Sequence, residues 1–445
     1  MFLLLPLSVY AQNTNEAKKT DTLTYALYMK AAWGELIETG ENALDEGTDF
    51  YYLRMRIGIA YYNEKDYMSA APHFRKALAF IPNDPAASEY LYWSYIFSGR
   101  EADARVLASN FTSKFLKDIG AKPQSFIGGI YVEGGFMSNA DFTDSTKSGF
   151  GKDSLVYGEI KPENNSTYFS VNVNFVPSSR FTVFTGYNNL NLNNKKMFVS
   201  TGNSPGNFNL KTKQNEFYLN AGVYAGAGFT LSGIVHYLNI KTEDVTASVN
   251  KMTGAVTYTQ ASETLDNYVG MFAVAKSLGK FRLSLGSSYS NLNKAKQIQN
   301  TLSVVYFPLG NLNFYSVTDL TAHSQKKDDT LKNSNGKFMT RGIVNQKIGF
   351  KVFDKLWLEG FYMFGNAENY NESSAFVVFN SMYTMNNRLG VNLLAPLSSS
   401  VQLSLRYQYY NLEITELAYD SPSTYSTITK TNKFHKIIGG LKWTF

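Results

Sequence analysis

Between Thr167 and Phe175 the chain alternates strictly, with Phe169, Val171, Val173 and Phe175 set against Ser170, Asn172 and Asn174. The same period of two returns at Phe281–Tyr289, where Phe281, Leu283 and Leu285 alternate with Arg282, Ser284 and Gly286. It returns again at Val401–Tyr409, where Val401, Leu403, Leu405, Tyr407 and Tyr409 alternate with Gln402, Ser404, Arg406 and Gln408. Successive side chains of a strand point to opposite faces, so these segments predict strands with one apolar and one polar face. Segments 311–323 and 338–350 are expected to be strands as well, with weaker alternation. Short turns are expected at 177–179, 226–228, 278–279, 308–310, 353–355 and 396–399. Longer polar loops are expected at about 137–165, 193–211, 241–264, 324–336, 367–381 and 413–432, with a short one near 292–296. Short turns at one end and long loops at the other predict a transmembrane antiparallel β-barrel, and strand parity points to about fourteen strands. From about residue 20 to 118 the apolar period becomes helical instead. The expected fold class is therefore multidomain α and β, with a helical domain at 20–118 and a barrel at 123–445.

The last stretch, Lys433–Phe445, reads KFHKIIGGLKWTF. Phe445, Trp443, Leu441 and Ile437 share one face, and Thr444, Lys442, Gly440 and Lys436 the other. It resembles the C-terminal signal strand by which bacterial outer-membrane barrels are recognised for insertion. On that resemblance Gly440, Leu441, Trp443 and Phe445 form the insertion signal, read by the barrel assembly machinery, with outer-membrane lipid as the surrounding partner. The apolar run Phe2–Leu7 followed by Val9-x-Ala11 looks like the end of a secretory signal peptide, residues 1–11.

Within the helical region, Tyr51–Asp84 resembles a tetratricopeptide (TPR) repeat, carrying Ile57-Gly58, Tyr61, Ala70, Phe74, Ala77 and Pro82 at the family's offsets. The resemblance implies a TPR-like α-solenoid in the periplasm, binding a periplasmic or outer-membrane protein partner through its concave face. Transferred residue by residue, that face carries Tyr52, Met55, Ile59, Tyr62, Asn63, Glu89, Trp93, Ile96 and Phe97.

Composition narrows the chemistry. The 445 residues include no Cys, which excludes disulfides and thiolate metal sites. Aromatic residues make up 15 %, with 31 Tyr and 32 Phe, and the mean hydropathy is −0.24. That excludes a helical membrane protein and leaves a barrel, whose membrane signal lies in alternation. The net charge of +6 comes with no basic, aromatic-interleaved run, so no nucleic-acid partner is expected. Only His73, His236, His323 and His435 offer imidazole bases. His236 is expected to face the lumen, and no nucleophile-elbow or zinc-helix motif accompanies any of the four. No catalytic, cofactor or metal site is expected. The inferred lumen lining is Arg282, Arg406, Lys436 and Lys442 with Glu359, and Trp357, Phe361 and Met363 share the Glu359 face. The expected function is a channel or export port whose TPR domain docks partners. The pairing of a TPR region with a barrel is similar in architecture to exopolysaccharide exporters. The alternatives are a non-transporting accessory or assembly component and, more remotely, a barrel-embedded hydrolase.

Overall fold

The computed structural model describes residues 7–143, 157–200, 206–249, 256–326, 337–353, 355–381, 383–421 and 424–445. Of the expected leader, residues 1–6 lie outside this set, and the chain from Leu7 onward is already helical. Seven helices come first among the described residues: α1 (Leu7–Met29), α2 (Trp33–Asp45), α3 (Tyr51–Asn63), α4 (Tyr67–Phe80), α5 (Pro85–Phe97), α6 (Glu101–Ala108) and α7 (Ser113–Asp118). Their starts are written in the sequence. Asp66 caps α4 by accepting from Ser69 N at 3.0 Å, and Asp84 caps α5 by accepting from Ala87 N at 2.7 Å with Pro85 in the first helical turn. From α1 to α6 each helix packs on its sequence neighbours, and the seam between α3 and α4 is closed by Phe74 lying against Gly58, where a Cβ would stand 2.7 Å from the ring. Ile57, Gly58, Ala70, Phe74 and Ala77 are all buried there.

His73 of α4 lies in that seam. Its ring stacks on Tyr61 at 5.6 Å between centroids, Nε2 lies 3.2 Å from Glu41, and Nδ1 lies 3.4 Å from Arg54, itself paired with Asp49. Burial lowers the pKa of His73 from its usual value, and Glu41 opposes the shift without reversing it. A lowered folded-state pKa favours the neutral ring. The contribution is therefore fully present above the unfolded value of about 6.5 and is lost as pH falls below it. Amide exchange of α3 and α4 in the intact protein is expected to accelerate between pH 7 and 5, and His73→Gln is expected to flatten that dependence. Unchanged acid sensitivity in the variant would assign the effect elsewhere.

The strands follow: β1 (Ile127–Asn139), β2 (Tyr157–Ile160), β3 (Glu163–Ser178), β4 (Phe181–Ser200), β5 (Gly206–Gly226), β6 (Phe229–Val249), β7 (Val256–Leu278), β8 (Phe281–Ser290), β9 (Lys296–Tyr306), β10 (Phe314–Lys326), β11 (Met339–Phe353), β12 (Leu356–Ala367), β13 (Tyr370–Glu372), β14 (Val377–Phe379), β15 (Thr384–Pro396), β16 (Val401–Ser421) and β17 (Thr424–Thr444). Fourteen of them close an antiparallel barrel, because β1 pairs with both β3 and β17 and every other wall strand pairs with its neighbours in the ring. The remaining three are β2, which bridges the outer ends of β16 and β4, and the small hairpin β13–β14.

Outward positions carry the apolar alternation. Phe169, Phe217, Val235, Phe272, Leu285, Leu302, Ile348, Leu389, Leu405 and Ile437 are all exposed on the outer wall. Along β8 the outward row runs from Phe281 to Tyr289 through Leu283 and Leu285. At roughly 3.3 Å per residue and a tilt of roughly 40° that row stands about 20 Å high, close to the apolar band of a membrane barrel. Its upper edge is ringed by Tyr237, Tyr268 and Tyr289, aromatics of the kind that sit where lipid meets water. In β17, Ile437, Trp443 and Phe445 face outward and Lys436 and Gly440 inward, as the alternation of the final stretch predicts.

The short turns fall where expected. Several long loops do not. The stretches read as loops at 193–211, 241–264 and 413–432 are mostly continuations of β4–β5, β6–β7 and β16–β17. These ribbons rise past the outward apolar row. Between β4–β5 and β6–β7, Phe198, Leu210 and Val245 are buried together, whereas exposed positions such as Asn207, Asn209, Lys211 and Lys213 are polar, so the outward apolar alternation of the wall strands is lost.

The helices are joined to the short-turn end of the barrel by specific contacts. Asp66, the α4 cap, also pairs with Lys280 at 2.8 Å in the β7–β8 turn. Met68 N donates to the Gly310 carbonyl at 3.0 Å, and Asn311 Nδ2 donates to the Lys65 carbonyl at 2.9 Å, both in the β9–β10 turn. Gly310 has φ +65°, and a side chain there would collide with Asp66. The Tyr224 hydroxyl, at the end of β5, donates to Asp103, which Arg100 holds at 2.8 Å.

Candidate functional site: a lumen crossed by its own loop

Residues 368–381, expected as an external loop, turn into the barrel and carry β13–β14 across it. The anchors reach strands around most of the wall. Arg388 of β15 donates to both carboxylate oxygens of Glu372, at 2.7 and 2.6 Å. Asn371 bonds Gln299 of β9 and donates to Ser288 of β8 at 3.1 Å, and Asn369 donates to Gln325 of β10 at 3.0 Å. On the far side Tyr218 of β5 donates to the Ser374 carbonyl at 2.8 Å. His236 of β6 bridges the Ala375 carbonyl (2.7 Å) and Glu216 (3.1 Å). Asn380 donates to Asn267 of β7 at 3.1 Å, and the hydroxyl oxygen of Tyr383, just past the loop, accepts from Glu163 N at 2.9 Å. Phe376 fills the space between Phe184 and Tyr218, with centroids 5.7 and 5.1 Å away.

The loop leaves two chambers. One, of about 230 Å³, is lined by Tyr131, Glu133, Tyr168, Glu216, Lys347, Phe361, Glu372, Arg388, Arg406 and Lys436, among others. The other, of about 290 Å³, is lined by Lys161, Glu163, Asp244, Asn293, Lys294 and Tyr383 towards the outer end. Nearer the short turns, Trp357, Phe307, Leu312, Leu394 and Pro396 line a more apolar recess.

The expected lining residues are placed inside the barrel but not together. Arg406 and Lys436 share the first chamber. Arg282 lies at the short-turn mouth beside Arg105 of α6. Lys442 shares the inward register of Tyr131 and Gln402. Glu359 is buried and held by Tyr315, by Asn392 at 2.6 Å and by Lys347 at 3.6 Å. Trp357, Phe361 and Met363 do point inward with it: Trp357 Nε1 donates to the Leu312 carbonyl at 3.1 Å, Phe361 lies under Arg388, and Met363 is fully buried. Sequence reasoning missed the acidic half of the lining, namely Glu133, Glu163, Glu216 and Glu372. Glu216 sits at the end of a row running Ser170 to Asn188 (2.6 Å) to Glu216 (3.0 Å), with Gln214 donating as well. Every group in that row spends its hydrogen bonds on its neighbours, which fixes the wall rather than exposing a reactive centre.

His236 faces the lumen, as expected, and is wholly buried beneath the loop. His323 is buried near Tyr370, and His435 stacks among Tyr407 and Tyr409 on the outer wall. Of the transferred partner face, Tyr52, Asn63, Glu89 and Phe97 are exposed and Ile59, Tyr62, Trp93 and Ile96 half-buried, whereas Met55 is buried in the core. Trp93 and Phe97 stack at 5.4 Å, and Phe97 continues onto Tyr67 and Tyr62. Met55 is therefore removed from the candidate contact surface, because the helix turns it towards Ala70 and Phe74.

No family model matches the chain, and no curated protein matches it. Among solved structures it is similar to a FadL homologue of Pseudomonas aeruginosa, with 8 % identity over 82 % of this chain and 95 % of that one and a TM-score of 0.45. It is also similar to the toluene transporter TodX of P. putida (7 %, 76 % and 94 %, TM-score 0.44) and to the toluene transporter TbuX of Ralstonia pickettii (6 %, 72 % and 90 %, TM-score 0.42). The barrel assignment rests on the closed strand ring, and these distant likenesses add no function to it.

Proposed function

We propose that the protein is an outer-membrane channel whose lumen is gated by the segment 368–381, with the helical domain held in the periplasm as a TPR-like docking platform. The observation that carries this reading is a loop fastened across a wide, polar-lined barrel by hydrogen bonds and by the ion pairs Glu372–Arg388 and Glu368–Arg341, with a solvent-sized chamber on each side. A fourteen-strand barrel is too wide for wall side chains to fill, so its interior is either a conduit or a plugged conduit. The polar lining supports passage of hydrophilic solutes, and the apolar outer band supports a membrane position. The buried seam at Gly58 and Phe74 supports the repeat-like reading of the helices.

Excising residues 370–380 and joining the ends with a short Gly-Ser link is expected to turn a quiet barrel into a steadily conducting one in planar bilayers. The alternative, a non-transporting accessory protein, is favoured by the closure of the lumen and by the aromatic patch around Trp93 and Phe97. An excised barrel that inserts yet passes no ions would establish that alternative over the channel.

A further inference from the structure

We infer that the chamber beside Glu372 is a binding site for a small hydrophilic carboxylate, anchored by Arg406 and Lys436. This rests on the reading of the lumen as a solute pathway. Four cations line the chamber, and two of them are already neutralised: Arg388 by Glu372, and Lys347 by Glu359. Arg406 and Lys436 have no carboxylate within ion-pair distance among the described residues; Lys436 instead lies over the Tyr168 ring at 5.0 Å. Both are half-buried. Arg406 stands opposite Ile438 and Lys436 opposite Gln408, so the two cations occupy diagonal inward positions on adjoining strands. Diagonal neighbours lie about 7–8 Å apart at the backbone, close enough for both side chains to reach one anion.

The wall selects which anion. Glu133 and Glu216 lie in the same chamber, but Glu216 is fully occupied by Gln214, Asn188 and His236, and Glu133 accepts from Tyr131. These carboxylates set a negative background that disfavours a compact dianion such as phosphate. A planar, singly charged carboxylate matches the guanidinium fork of Arg406 and takes a second contact from Lys436. Asn188, Asn345, Asn392 and Gln408 share the remaining surface with Leu190, Phe361, Phe376 and Val377, and a volume of about 230 Å³ suits a short acid rather than a long acyl tail.

Calorimetric titration of the full-length protein in detergent and low-salt buffer tests this with lactate, inorganic phosphate and laurate as probes. Lactate is expected to bind saturably at one site. Arg406→Gln and Lys436→Gln are each expected to weaken binding about tenfold, the double variant to abolish it, and Arg406→Lys to keep part of it. Lys276→Gln, a cation on the outer wall, is expected to change nothing. Heat-modifiable gel mobility verifies that each variant still forms the barrel. Phosphate binding without lactate binding, laurate binding tighter than lactate, no saturable binding at all, or lactate binding indifferent to both substitutions would each overturn the proposal. A full-length protein that binds no lactate while the excised barrel conducts keeps the channel and removes the site. A full-length protein that binds lactate while the excised barrel stays silent keeps the site and removes the channel.

Discussion

A Glu372→Gln barrel is expected to conduct in planar bilayers under conditions where the unaltered protein is closed. The Glu372–Arg388 pair is bidentate, and the Arg388 side chain is only 6 % exposed. Removing the carboxylate leaves a buried guanidinium without a counter-ion, and breaking such a pair costs about 3–5 kcal/mol. At about 1.4 kcal/mol per tenfold, the open population should rise by roughly a hundredfold to a few thousandfold. The other anchors, at Asn371, Ser374 and Ala375, remain, so openings should be frequent and brief rather than permanent. Glu372→Gln with Arg388→Gln should restore much of the closed state, since two amides can pair without a stranded charge. Recordings of the single variant that stay as quiet as those of the unaltered barrel would refute gating by this loop.

The second large effect concerns the outer wall. Leu285, 60 % exposed, lies midway along the outward row between Phe281 and Tyr289. If that row crosses lipid, Leu285→Arg places a charge near the middle of the apolar band and should destabilise the barrel by about 2–4 kcal/mol. Phe281→Arg, at the edge, should cost only about 0–1 kcal/mol by comparison. Urea titrations of folding into lipid vesicles measure both. Equal costs at the two positions would contradict the membrane placement, because a water-facing wall has no depth dependence.

Where the sequence was legible, one face of a segment met lipid and the other met the lumen. The final strand shows this: Trp443 and Phe445 against Lys442 and Gly440 needed nothing but a period of two. The tall ribbons of β4–β5 and β6–β7 were illegible as strands because exposed positions such as Asn207, Asn209, Lys211 and Lys213 are polar where the wall strands carry apolar residues, although Phe198, Leu210 and Val245 are buried between the ribbons. The loop that enters the lumen was read as external because Asn369, Asn371, Glu372, Ser373 and Ser374 look like solvent-loop residues. One signal was present and passed over. Phe376-Val377-Val378-Phe379 is a run of four apolar residues inside that polar loop, and Phe376 now packs between Phe184 and Tyr218. The acidic lining was missed for a different reason. Glu133, Glu216 and Glu372 are far apart in the chain, and only closure of the ring brings them to one chamber.

Asp66, Lys65 and Asp103 fasten the helices to the turns after β5, β7 and β9, all on one side of the barrel. Under the proposed function, a protein segment captured by the helices would thus be tethered within a few nanometres of the short-turn end of the barrel. Tethering over such distances gives effective concentrations on the order of millimolar. A partner held by the helices would then meet the barrel entrance at that effective concentration, whatever its concentration in bulk.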